Sequence, residues 1–257
     1  MCSEQQTSKI ALVLEYEGTQ YCGFQYQARL PTVQGELEKA ITKLTGEHRR
    51  IHGASRTDAG VHACGQVVSF QTNARYTPNV FRNALNYYLP EDIAVRESCQ
   101  IEEDFDVRRG AISREYQYRI LNRGVRSPFR CRWAHHVPQT LDIEVMNQAC
   151  QQLVGTHDFA SFVTDYEKGS TKRTIHAALF ERLDEMVIFH VTGNSFLAHQ
   201  VRNSMGMLLQ IGLGKLGVDR VGSIVSAKIP GLAGPTAPPQ GLYLTKVNYP
   251  QPLGVMQ

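Results

Sequence analysis

The chain has 257 residues, 42% of them hydrophobic and 20% charged. That balance suits one large folded domain or two modest ones, and no apolar run approaches the roughly 18 residues of a membrane span. The formal charge of +3 is only a weak sign of an acidic partner, so the distribution of charge matters more than its sum. The polar start, MCSEQQTSKI, lacks the layout of a secretory signal. Six cysteines (Cys2, Cys22, Cys64, Cys99, Cys131 and Cys150) are scattered with no CxxC pair. They read as reduced, mostly buried thiols of a cytosolic protein, not as disulfides or a zinc site.

KIALVLEY (9–16) has the length and apolarity of a strand, and a loop, EGTQYCGFQYQARLP, follows it. In TVQGELEKAITKLTG, residues Val33, Leu37, Ala40, Ile41 and Leu44 recur at helical spacing, with Thr32 as N-cap and Gly46 as the stop. RRIHGASRTDAGVHACGQVVSFQT reads as a short strand, a turn and a second strand, GQVVSF. A helix over about 78–88 and a strand at DIAVRES complete the first half.

The second half opens with SREYQYRIL (113–121), a strand whose period-two alternation puts Arg114, Tyr116, Tyr118 and Ile120 on one face. Thr140 is read as the cap of a helix with Leu141, Val145, Ala149 and Leu153 as its stripe and Gly155 at its end. TIHAALFERL and EMVIFHVTG form a hairpin, FLAHQVRNSMGMLLQIG (196–212) a helix, and GLYLTKVNYP (241–250) a closing strand. The pattern predicts an α+β fold of two similar halves, each a mostly antiparallel sheet flanked by helices. The boundary falls near 105–112, giving halves 1–108 and 109–257.

Two stretches carry chemistry. Residues 108–132 hold eight arginines against one acid, Glu115, and interleave Tyr116, Tyr118 and Phe129. Arginine forks match phosphate and aromatics stack on bases, so the run points to nucleic acid. The other stretch is RTDAGVH (56–62). An aspartate before Ala-Gly is by default a turn former. Arg56, two residues upstream, can project the same way in an extended stretch, and a cation beside Asp58 favours the ionised carboxylate that a nucleophile requires. Gly53 and Gly60 suit sharp turns or close approaches. A metal site of Asp58, His62 and Cys64 matches no strong ligand spacing, and His62 reads as structural.

The RTDAGVHA…GQVVSF stretch resembles the catalytic motif of tRNA pseudouridine synthases of the TruA type. The likeness continues in order through YEGTQYCGFQYQ, TVQGELEKAI, the N and LP of NALNYYLPEDIAVR, FDVRRGAISREYQYRI, NSFLAHQVRNSMGMLLQIGLGK and GLYLTKVNYP. It implies isomerisation of uridine to pseudouridine in the anticodon stem-loop of tRNA, by a cytoplasmic homodimer with a positively charged active-site cleft between its halves. By position, Asp58 matches the essential aspartate and Arg56 the arginine that pairs with it and displaces the base. Tyr116 matches the tyrosine stacked on the uracil, Arg202 an arginine that ion-pairs with the aspartate, and Leu242 an apolar residue of the pocket. Ser55 stands where many relatives have glycine. Arg108, Arg109, Arg114 and Arg126 are the candidate RNA contacts.

The sequence has no dinucleotide fingerprint, P-loop or metal cluster, so no cofactor and no metal are expected. Two rival classes remain on the residues alone. A non-catalytic RNA-binding protein accounts for the basic run but leaves Arg56, Asp58 and Arg202 without purpose. A metal-dependent hydrolase would use Asp58 and His62.

Overall fold

The computed structural model describes residues 7–164 and 169–253, so Cys2 and most of the polar N-terminal stretch lie outside the described residues. The chain divides into two compact units, residues 1–112 with 244–257, and residues 113–243.

The first unit contains β1 (Ser8–Tyr16), α1 (Val33–Thr45), β2 (His52–Gly53), β3 (His62–Thr72), α2 (Pro78–Tyr88) and β4 (Ile93–Ile101). Its strands run in the order β4-β1-β3, with β1 antiparallel to both neighbours and β2 paired at the edge of β3. Ile10, Leu12 and Leu14 of β1, Val68 and Phe70 of β3, Leu37 and Ile41 of α1, and Phe81 and Leu85 of α2 are buried. The Phe70 and Phe81 rings meet edge to face at 5.7 Å. Helix α1 starts and stops where its local chemistry directs. Thr32 accepts a hydrogen bond from the Gly35 N–H at 3.2 Å, and Gly46 takes a left-handed conformation at φ 75°.

The segment between α1 and β2 is tied down by Glu47. Its carboxylate accepts from Arg49 Nε at 3.0 Å, Thr72 Oγ1 at 2.8 Å and the Asn73 N–H at 3.1 Å. Burial alone would raise its pKa, but these donors hold it below the ordinary value of 4.5. A carboxylate depressed in the folded state stabilises above its unfolded pKa and loses that contribution as pH falls through its folded pKa. Glu47→Gln is therefore expected to cost about 1 kcal/mol at neutral pH. In urea titrations across pH, the gap to the unsubstituted protein should close below pH 4.5. A gap constant down to acid pH would contradict this.

The second unit contains β5 (Ser113–Leu121), β6 (His135–His136), α3 (Ile143–Gln151), β7 (Gly155–Asp158), β8 (Lys172–Leu183), β9 (Met186–Gly193), α4 (Gln200–Gly212) and α5 (Arg220–Ala227). Its strands run β5-β9-β8-β7, all antiparallel, with β6 parallel to β5. Arg114, Tyr116, Tyr118 and Ile120 are the buried face of β5, as the alternation predicts. Phe180 and Phe189 stack across β8 and β9 at 4.6 Å.

Two expectations are corrected. Asp142, not Thr140, caps α3 by accepting from the Val145 N–H at 3.0 Å. The helix therefore buries Met146, Ala149 and Cys150, with Val145 only half-buried. Helix α4 begins at Gln200, not 196, because His199 sits in the left-handed region at φ 59° and interrupts helical geometry. The last strand, β10 (Leu242–Asn248), carries the chain's tail from residue 244 onward into the first unit. There Gly65 of β3 allows close approach, since a Cβ would stand 2.4 Å from the Thr245 carbonyl oxygen. The Ile112 N–H donates to the Asn248 carbonyl at 2.9 Å, and the Tyr249 hydroxyl donates to that of Val107 at 2.7 Å.

The five described cysteines are free thiols, but only Cys150 is buried and Cys131 is exposed. Burial pushes the Cys150 thiol up to about 11. Among the described residues, no helix is long and apolar enough to cross a membrane.

Candidate active site

Asp58 lies half-buried in the connection between β2 and β3, where the Val61 N–H donates to the Asp58 carbonyl at 3.1 Å and closes a turn. Gly60 takes φ 76° within that turn, a conformation costly for any residue with a Cβ. Neighbouring segments grip the turn at successive residues. The Gln66 side chain, fully buried, pairs with the Ser55 backbone, accepting from its N–H at 3.2 Å and donating to its carbonyl at 2.8 Å. The Phe24 N–H donates to the Thr57 carbonyl at 3.0 Å, and the Gly60 N–H to that of Tyr21 at 3.2 Å. The Tyr16 and Thr57 hydroxyls hydrogen-bond at 2.8 Å.

The loop that supplies these partners is itself fixed. Tyr21, buried, donates its hydroxyl to the Asp92 carboxylate. Burial and then that carboxylate push the phenol's pKa up, so it stays a donor. His62, 1% exposed, accepts the Gly18 N–H at Nδ1 at 3.0 Å. An accepting Nδ1 leaves the ring proton on Nε2, so His62 serves as a structural acceptor here, as its position in the sequence predicts. Gly18 lies so close to the turn that a Cβ would stand 2.0 Å from the Val61 carbonyl oxygen.

Arg56 is exposed, two residues before the half-buried Asp58. The turn closed by the Val61 N–H begins at Asp58, and Thr57, between the two residues, is held by its carbonyl and its hydroxyl.

In the second unit, Tyr116 is 6% exposed and its ring meets Phe196 edge to face at 5.2 Å. Arg202, in the first turn of α4, donates Nε to the Ala237 carbonyl at 2.8 Å, and the Ala237 N–H returns a bond to the Arg202 carbonyl. The next residue, Pro238, accepts the Tyr118 hydroxyl at 2.8 Å. Burial pushes that hydroxyl's pKa up, against an opposing pull from the Arg202 charge. Leu242 is buried, at the start of β10. Segment 237–242 thus brings the α4 arginine, the buried face of β5 and Leu242 into one neighbourhood.

The basic run is heterogeneous. Arg108, Arg109 and Arg126 are exposed, whereas Arg114 is 7% exposed and donates Nη1 to the Asn194 carbonyl at 2.8 Å. Phe129 is 84% exposed beside exposed Arg130 and Arg132.

Two stretches of the chain, residues 12–109 and 149–250, match the tRNA pseudouridine synthase family. The chain belongs to that family. A tRNA pseudouridine synthase A of Thermoanaerobacter sp. strain X514 is 42% identical over 241 residues, covering 93% of this chain and 99% of the relative. A protein of the same name from Shewanella sediminis is 40% identical over 244 residues, 95% of this chain and 94% of the relative. That of Roseiflexus castenholzii is 42% identical over 246 residues, 94% and 91% respectively. Members of the tRNA pseudouridine synthase family isomerise uridine within tRNA. The one match in each half agrees with two similar halves.

Sequence reasoning missed the residues that support the site. Tyr16, Gly18, Tyr21 and Phe24 belong to YEGTQYCGF, whose glycines and aromatics were a signal of a packed loop. The anchor of Arg202, Ala237, lies in TAPPQG, a proline pair that marks a rigid connection. Among the described residues, no three His, Cys, Asp or Glu side chains gather as a metal site would require.

Proposed function

We propose that the chain converts uridine to pseudouridine in the anticodon stem-loop of tRNA, with Asp58 as the reacting carboxylate, working as a cytoplasmic homodimer. In the isomerisation the uracil N1–C1′ bond breaks, the base turns, and C5 bonds to C1′. The C5 proton leaves to solvent and N1 takes one up. The carboxylate either adds to C1′ or removes the C2′ proton, and both routes need it ionised. The observation that carries this reading is the rigidity of the RTDAGVH turn, held at Ser55, Thr57, Gly60 and His62 around one half-buried aspartate in a chain of this family. Such preorganisation lets a positioned group act without reorganising during reaction.

The other roles follow. Tyr116 offers an aromatic face for the displaced uracil, Leu242 an apolar wall, and Arg202 a cation for the reacting carboxylate. Exposed Arg56 meets the incoming RNA and helps take the base from its stack, a step that costs about a few kcal/mol. Incubating the protein with tRNA transcripts and mapping pseudouridine by carbodiimide adducts tests the substrate. Modification confined to the anticodon arm supports the reading, and modification only elsewhere counts against it.

Arg108, Arg109 and Arg126 are read as phosphate contacts because they are exposed, and Arg114, which is buried, as structural. Neutralising the three exposed arginines is expected to weaken tRNA binding and to flatten its salt dependence by roughly one unit of log–log slope for each phosphate no longer neutralised. Filter binding at several salt concentrations reads this, and an unchanged slope removes them from the interface.

A further inference from the structure

We propose that Tyr16 is a positioning residue for Asp58, acting through Thr57; this rests on the reading of Asp58 as the reacting carboxylate. Tyr16 ends β1 at the point where its register meets Ala63 at the start of β3. Its ring is 3% exposed and its hydroxyl reaches Thr57 Oγ1 at 2.8 Å across 41 positions of sequence. Thr57 is 7% exposed, and its carbonyl is held separately by the Phe24 N–H at 3.0 Å.

Residue 57 is therefore fixed by its main chain and by its side chain, one position before Asp58. Between a fixed Thr57 and the turn closed by Val61 N–H onto Asp58, little freedom is left in the direction along which the carboxylate leaves the backbone. The backbone bond alone sets where residue 57 sits. The hydroxyl pair adds a restraint on rotation about it, since a Thr side chain held at Oγ1 fixes the orientation of its Cα. Both hydroxyls are sheltered from water, where an unmade hydrogen bond is costly. Phenylalanine would fill the same core volume, so the tyrosine oxygen is the part of this side chain that bears on Asp58.

The test compares Tyr16→Phe, Thr57→Val, Thr57→Ser, the Tyr16→Phe/Thr57→Val pair and Asp58→Asn by steady-state turnover of tRNA, at a temperature where circular dichroism shows native structure. Tyr16→Phe and Thr57→Val should each lower kcat roughly 10- to 100-fold with KM unchanged. The paired variant should be no slower than the slower single one, because both remove one interaction. Thr57→Ser, which keeps the hydroxyl, should retain kcat. Wild-type kcat in Tyr16→Phe, or losses that multiply in the paired variant, would overturn the assignment. If Tyr16→Phe does not fold, Thr57→Val against Thr57→Ser decides by the same criteria. Turnover retained by Asp58→Asn would instead overturn the underlying reading, whereas a dead Asp58→Asn beside a fully active Tyr16→Phe would sink the positioning role alone.

Discussion

Asp58→Asn is expected to lower kcat at least about 1,000-fold while leaving the fold and tRNA affinity intact. The turn around residue 58 is built from backbone groups and neighbouring side chains: the Val61 N–H on the Asp58 carbonyl, the Phe24 N–H on Thr57, and the Gly60 N–H on Tyr21. Asparagine is the same size and leaves each of these backbone bonds in place, so the change falls on the carboxylate and its charge. Thermal denaturation and tRNA binding equal to the unsubstituted protein, together with lost pseudouridine formation, would assign the defect to chemistry. A loss of binding in parallel with turnover would assign it to substrate docking instead.

Gly18→Ala is expected to produce the second large effect, this time through the backbone. The added Cβ would stand 2.0 Å from the Val61 carbonyl oxygen and 2.6 Å from its carbon, closer than any real contact, and neither atom belongs to a flexible side chain. The loop 17–24 or the Asp58 turn must move. Its cost is about 1–3 kcal/mol of stability, and displacement of the turn should add a loss of roughly 100-fold in kcat. Urea unfolding and turnover measured on the same preparation check both parts. Wild-type stability would mean that the two loops do not pack so closely.

Much of the fold was legible wherever local chemistry decides it. SREYQYRIL alternates cleanly, and β5 runs Ser113–Leu121 with the anticipated face buried. Thr32 and Gly46 bound α1 because capping depends on atoms within a few residues. The readings that changed turn on finer or longer-range choices. Thr140 and Asp142 are both competent caps two residues apart, and only the register of the α3 core selects Asp142. Helix α5 escaped because a short segment with Gly222 and Ser223 carries little helical signal. Nothing local in GLYLTKVNYP says that the tail returns to the first unit, since that depends on Thr245 meeting Gly65, 180 positions earlier by their numbers.

The candidate site divides along the same line. The RTDAGVH motif is legible because it is contiguous, and His62 is buried and bonded to the Gly18 N–H as a structural residue would be. The restraint on Asp58 could not be found, because Tyr16 and Thr57 are far apart in sequence and meet only through the β1–β3 register. Arg114 shows the limit of counting charges: it belongs to the richest arginine run of the chain, yet strand alternation buries it.

Tritium release from tRNA labelled at C5 of uridine tests the central claim most directly, because the new C5–C1′ bond must expel that hydrogen. The protein is expected to release tritium in step with pseudouridine formed, and Asp58→Asn to release none while still binding tRNA. Release by Asp58→Asn at the rate of the unsubstituted protein would remove Asp58 from the chemistry.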